Sequence, residues 1–315
     1  MPVDFTPSTL DWLTNFFQQT TLPTLRGDLQ KLICEQVTIV VKDQLQPFLH
    51  TLPVTENLDN VAAINYSLTS PPNLVGNFMD VKMKGEVFHL EHPSTPPFSP
   101  QPVSLPNDYK LMIYIAISDY LFSTAGFAYQ YAGKLVFNIT DNMIPQGAAV
   151  RLNTSSFAII IPQLKTKYPN LPMKLMVTSP SAPFVNIIQK NVSMALELDI
   201  QVFAILPNSS LAPLFLLKLF SMVFIKTEVI SDRIVGTMDP TRVHIELERS
   251  YIGPFSMTFV ECAMNLFLSV TMLPKVNDIL SKGLPLPLLD GVELENITLT
   301  QYQHYLLLGA DISHE

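Results

Sequence analysis

The tetrapeptide "HLEH" places His89, Glu91 and His92, two imidazoles and a carboxylate, within four positions. Such groups bind zinc when three or four of them converge on fixed elements. Here they lead directly into "HPSTPPFSPQPVSLP", a proline-rich run from His92 to Pro106, with no fourth ligand nearby, so they read as solvated surface residues. Asp119, Ser123 and the remaining histidines show no spacing that gives a nucleophile its base. The sequence has no G-x-S-x-G, no H-E-x-x-H, no phosphate-cradling glycine loop and no C-x-x-C. These absences predict a protein that is not an enzyme and that carries neither metal nor cofactor.

Two further residue types bear on compartment. Cys34 and Cys262 each fall within an apolar helical pattern and read as small buried hydrophobes; in an oxidising compartment they could instead pair. Asn-x-Ser/Thr acceptors begin at Asn65, Asn138, Asn153, Asn191, Asn208 and Asn296. Chance would supply about two or three, so the excess points to a secreted glycoprotein. The opening "MPVDFTPSTL" has neither the basic start nor the apolar stretch of a secretory signal. The two observations agree if the chain is an N-terminally shortened form of a longer secreted protein.

The chain has 315 residues, 48% hydrophobic and only 15% charged, more apolar than a soluble core requires. Its longest apolar runs fall short of the roughly 20 uninterrupted residues of a spanning helix. "LAPLFLLKLFSMVFIK" carries Lys218, and "FVECAMNLFLSVTMLP" contains Glu261 and ends at Pro274. The apolar excess therefore suggests an apolar ligand. A net charge of -8 without a Lys/Arg cluster excludes nucleic acid as a partner.

The proline fixes φ and removes a donor at each position it occupies, so residues 92–106 form an extended spacer between segments 1–91 and 107–315. In the first segment a short helix capped by Ser8 carries Leu10, Leu13 and Phe17. A longer helix follows, with Leu25, Leu29, Leu32, Ile33, Val37, Val40, Val41 and Leu45 recurring at three and four residues. Only short strand-like pieces, "AAINYSL" and "MDVKMKGEVF", remain to cover that stripe, which predicts an incomplete first domain.

Beyond the spacer, Val192, Met194, Leu196, Leu198, Ile200 and Val202 alternate with polar residues, as in a half-buried antiparallel strand. "KLVFNIT", "MKLMVTS" and "RVHIELER" repeat the pattern. Helices are predicted over "DYLFSTAGFAYQYAG", stopped by Gly133, and over Phe255 to Leu273, stopped by Pro274. The class is α+β, a long curved antiparallel sheet wrapped around helices. "LFLLKLFSMVFI" is apolar on both faces, which predicts a strand covered on two sides, or a wall shared by the core and a ligand cavity.

Several segments in order, "LICEQV", "QLQPFLHTLPVT", "MKGEVFHLEHPSTPPFSP", "ISDYLFSTAGFAYQYAG", "DNMIP", "FAILPNSSLAPLF", "KGLPLPLL" and "YLLLGADI", resemble the family of lipopolysaccharide-binding and bactericidal permeability-increasing proteins, which includes plasma lipid-transfer proteins. The resemblance covers almost the whole chain. It implies a boomerang-like pair of barrel lobes joined by a central sheet and a proline-rich linker, each lobe holding lipid acyl chains. On that template residues 1–91 are the C-terminal remnant of the first lobe and the central sheet, 92–106 the linker, and 107–315 the second lobe. It also implies an extracellular parent acting in innate immunity and antibacterial defence, with phospholipid or lipopolysaccharide as partner and contact with membrane or lipoprotein surfaces. Cys34 matches a cysteine whose disulfide partner would lie upstream of Met1, leaving it unpaired.

From the helix stripes, the expected lipid-pocket residues are Phe17, Leu29, Val37, Val41 and Leu45 in the first lobe and Phe122, Tyr129, Phe267 and Val270 in the second. Lipopolysaccharide affinity is expected to be low. The family's basic tip loops would lie upstream, and up to Lys31 only Arg26 and Lys31 oppose Asp4, Asp11 and Asp28, with Lys82 and Lys84 a possible small patch. The alternative is a secreted interaction or decoy protein that keeps the fold without productive lipid binding. The oligomeric state is open.

Overall fold

The computed structural model describes residues 22–51, 53–76, 78–106, 110–144, 146–147, 151–239, 241–286, 288 and 292–314. The chain forms two compact units, Met1–Val54 and Thr55–Glu315. The helix expected around Leu10–Phe17 lies outside the described residues.

In the first unit, α1 (Leu22–Val40) passes through a π-helical turn, Val41–Leu45, into α2 (Gln46–Thr51). The turn is marked by the Gln46 N–H, which donates five residues back to the Val41 carbonyl. Pro47 supplies the reason. It has no N–H for a carbonyl four residues back, and its ring crowds that carbonyl, so shifting the ladder by one residue just ahead of the proline lets the helix continue. Leu29, Leu32, Ile33, Val37 and Val41 of the expected stripe are exposed.

The larger unit is α+β, as its alternating patterns predict. A small antiparallel sheet joins β1 (Thr55–Asn57), β2 (Ala62–Asn65) and β5 (Glu86–His89), while β3 (Asn73–Val75) and β4 (Phe78–Asp80) form a separate hairpin. Next come β6 (Ile113–Ser118), α3 (Asp119–Tyr131), β7 (Val136–Thr140), the short helices α4 (Thr154–Phe157) and α5 (Gln163–Lys167), β8 (Met173–Thr178) and β9 (Phe184–Ile188). The long strands β10 (Asn191–Ile205) and β11 (Leu211–Ile230) precede β12 (Arg233–Met238) and β13 (His244–Ser250). The chain continues through α6 (Met257–Phe267), a second π turn (Leu268–Met272), α7 (Leu273–Leu280), β14 (Leu284–Pro285), β15 (Val292–Tyr302) and β16 (Tyr305–His314). Among the described residues, the main sheet has eight antiparallel strands in the order β14-β12-β11-β10-β8-β7, with β9 added on β10 and β13 on β11. A third sheet runs β15-β16-β6.

The long strands are shared by two cores. Val192 at the start of β10 packs with Ala62, Ile64, Val87, Ile117, Leu121, Ile187, Leu306 and Leu308. Ile200 and Val202 near its end pack with Ile139, Leu164, Met173, Leu175, Leu214, Phe215 and Leu217. Register shifts at Val202/Phe203 and Leu216/Leu217 bend the sheet there, and Pro213 sits beyond the first shift, where a missing N–H is tolerated.

β11 is covered on one side only. Leu217, Leu219 and Val223 are buried, whereas Phe220, Met222 and Phe224 on the other face are 36%, 51% and 45% exposed. The expectation of a strand covered on both faces is therefore corrected. The outer face also carries Lys218, opposite Asp199 on β10 and 3.6 Å from Glu248, and these charges keep it toward solvent.

α3 ends as expected: Gly133 adopts φ +66°, and Lys134 donates its N–H back to the Tyr129 carbonyl. Gly126 in its middle lets the helix approach the chain entering β9, since a Cβ there would stand 2.5 Å from the Pro183 carbonyl oxygen. Pro274 does not stop the second expected helix. Leu273 donates to the Leu268 carbonyl in the π turn, and the helix runs on to Leu280.

The proline-rich stretch has neither helix nor strand, bends at Pro97 and Phe98, and is packed along the unit. Pro96 is buried, and Phe98 meets Tyr120, Phe127 and Phe184 edge-on at 5.8, 6.3 and 6.1 Å. Tyr305 Oη donates to the Ser104 carbonyl at 2.5 Å. Residues on both sides of the stretch share one core, and the boundary between compact units falls at Val54.

Candidate functional site

An apolar cavity of about 220 Å³ lies between the α6 helix and one end of the main sheet. Ala263, Met264, Leu266 and Phe267 line it from α6, and Val270 and Thr271 from the π turn. Ile144, Arg151, Leu152, Phe157 and Leu175 form the facing wall. The π turn widens the helix at the point where it roofs the cavity. An apolar cavity of roughly 150 Å³ stays dry and accepts a benzene-sized guest. This larger one has room for part of one alkyl chain.

The charged residue of the lining is already engaged. Arg151 Nη2 donates to Asp141 Oδ2 at 2.6 Å and to the Asp141 carbonyl at 2.9 Å, and Nη1 donates to the Ile144 carbonyl at 3.2 Å. Leu152 N–H donates to Asp141 Oδ1 at 2.7 Å. The Arg151 guanidinium holds the Asp141 carboxyl below its ordinary range; burial opposes this and the Leu152 N–H adds to it. The pair fixes the loop that carries Ile144 and Leu152 and leaves the wall without net charge.

Of the residues expected to contact lipid, Phe267 and Val270 line this cavity. Phe122 and Tyr129 pack instead against the core built from β2, β5, β9 and β16. Tyr129 Oη donates to Asp59 Oδ2 at 2.8 Å, and burial followed by that carboxylate pushes its hydroxyl pKa up. Leu29, Val37 and Val41 are exposed on the first unit's helix. Phe17 and the side chain of Leu45 lie outside the described residues. Sequence reasoning missed these parts of the facing wall, because Ile144 and Leu152 stand in loops and Phe157 in a single-turn helix, all too short to show periodicity. The one local signal was Asn153, whose Oδ1 caps α4 by accepting the Ser156 N–H at 2.8 Å.

The other candidate chemistry is occupied by structure. His89 Nδ1 accepts the His92 backbone N–H at 2.9 Å and the two rings stack 5.8 Å apart. Ser123 Oγ donates to the Val185 carbonyl and accepts the Val185 N–H, while Asp119 Oδ2 lies 2.9 Å from His304 Nδ1. Cys34 and Cys262 are both free and both exposed, which corrects the expectation that they are buried. Cys262 stands on the outward side of its helix, away from the buried Val260 and Met264. Asn138, Asn208 and Asn296 are exposed and Asn65, Asn153 and Asn191 half-buried. Lys84 pairs with Glu86 at 2.9 Å, which weakens the small basic patch expected with Lys82.

Residues 56–314 match the model of the LBP / BPI / CETP family, C-terminal domain. The chain belongs to this family. Among LBP / BPI / CETP relatives, human lipopolysaccharide-binding protein is 38% identical over 305 residues, 97% of this chain and 63% of that protein. Rat bactericidal permeability-increasing protein is 34% identical over the same coverage of both chains. A crystal structure of lipopolysaccharide binding protein superposes with a TM-score of 0.59 at 35% identity, covering 96% of this chain and 66% of that one. The chain thus spans somewhat under two thirds of the family members it matches.

Proposed function

We propose that this chain is a lipid-binding protein of innate immunity that holds a phospholipid acyl chain in the cavity beneath α6. The observation that carries the reading is the cavity itself: an apolar space in which the one charged residue among the described lining, Arg151, is neutralised in place. Such a site rewards burial of alkyl surface, about 25 cal/mol per Å² removed from water, and offers no fixed charge to a head group. The names of the relatives, lipopolysaccharide-binding and bactericidal permeability-increasing proteins, support lipid as the ligand class. Exposed acceptors at Asn138, Asn208 and Asn296 are compatible with an extracellular life.

Charge sets the lipid preference in this reading. With 19 Lys and Arg against 27 Asp and Glu, the chain has no long-range attraction for the phosphates of lipopolysaccharide. Titration against immobilised lipopolysaccharide and against phosphatidylcholine, at low and at physiological salt, is expected to give weak lipopolysaccharide binding with little salt dependence. Tight, salt-sensitive binding selective for lipopolysaccharide contradicts it, since counter-charge on the protein is what produces a salt slope.

A further inference from the structure

We propose that the outward face of the helix from Met257 to Leu280 is a docking surface for a zwitterionic phospholipid bilayer; the inference rests on reading the cavity beneath it as an acyl-chain site. Phe259, Cys262, Leu266 and Val270 follow one another at intervals of three, four and four residues, which places them in one stripe. Phe259, Leu266 and Val270 are 62%, 52% and 52% exposed, while Val260, Met264 and Thr271 on the opposite side are buried. The helix therefore lies flat on the sheet and shows its apolar side to solvent. Of its most apolar 18-residue window only 17% is buried, although its length and composition would suit a bilayer interior. A contiguous apolar stripe of this kind marks an interaction surface.

Two observations select a bilayer as the occupant. The first is continuity: Leu266 and Val270 both face outward and line the cavity, so the stripe is the rim of the site. About 220 Å³ accommodates only part of one chain, and the rest of a two-chain lipid must lie at or beyond that rim. A lipid surface seated there keeps those methylenes out of water throughout transfer. The second is charge. From Met257 to Leu280 the charged residues are Glu261, Lys275 and Asp278, and the whole chain carries -8, which disfavours an anionic surface and suits a zwitterionic one.

Flotation of the full chain with phosphatidylcholine vesicles tests this. Phe259→Ser is expected to lower the partition coefficient onto vesicles by about tenfold or more, because burying one such side chain contributes more than a decade of affinity. Because Phe259 does not line the cavity, the variant's extractable phospholipid should be unchanged. Leu74→Ser, at a site 80% exposed on the separate β3–β4 hairpin, should float as the unaltered chain does. Should Phe259→Ser fail to fold, bimane attached at Cys262 in a Cys34→Ser chain reads the same contact, and its emission is expected to shift to the blue on adding vesicles. Failure of the unaltered chain to float, flotation that requires anionic lipid, equal flotation of Phe259→Ser, or an unshifted bimane overturns the proposal. That holds also if the face proves to bind a second copy or another protein. A chain that floats through Phe259 yet yields no lipid on extraction supports the docking surface while refuting the acyl cavity.

Discussion

Replacing Phe215 by alanine is expected to destabilise the larger unit by about 3–5 kcal/mol, the range for removing a buried aromatic side chain. Phe215 is 2% exposed on β11, in register with Val202 of β10 and Ser250 of β13. Its ring lies 5.1 Å from that of Phe255, in the segment that leads into α6. Register shifts on both sides pin the backbone, so the strands cannot close into the void. Urea unfolding should show a lower midpoint with an unchanged slope. Phe220→Ala, five residues along the same strand, is expected to cost less than about 1 kcal/mol, because that ring faces solvent. Equal losses at the two positions would mean that the strand is covered on both faces after all.

Ala263→Trp is expected to reduce bound phospholipid more than tenfold while leaving the fold intact. Ala263 lines the cavity from α6, and an indole there projects into the space an alkyl chain would occupy. Each methylene withdrawn from water contributes about 0.8 kcal/mol, so displacing two weakens binding by roughly fifteenfold. Filling an existing void removes no packed contact, so the unfolding midpoint should fall little. The readout is phospholipid per chain after organic extraction, beside Ile159→Trp as an exposed control. Unchanged lipid content in a folded Ala263→Trp protein would place the lipid elsewhere.

How much of this was legible in the sequence depends on the range of the interactions concerned. The alternation from Val192 to Val202 marks β10 because one face of that strand meets a core and the other does not. Gly133 marks the end of α3 because a left-handed residue there is a local requirement. Pro274 misled, because the π turn that accommodates it leaves no pattern in residue types; the same device precedes Pro47. The apolar run on β11 also misled, since hydrophobicity alone does not tell a covered face from an exposed one. In the candidate site, Phe267 and Val270 were visible as helical periodicity. Most of the opposing wall was not, because Ile144, Leu152 and Phe157 are positioned by the Arg151–Asp141 pair and the Asn153 cap, which act across loops.

Native mass spectrometry of the full chain, purified from a secreting cell without added lipid, separates a loaded lipid carrier from an empty fold. A folded species carrying about one phospholipid, released on gentle activation and identified by its fragments, is expected. A folded chain at its lipid-free mass, which also takes up no phospholipid when offered phosphatidylcholine vesicles, would contradict the lipid-binding reading.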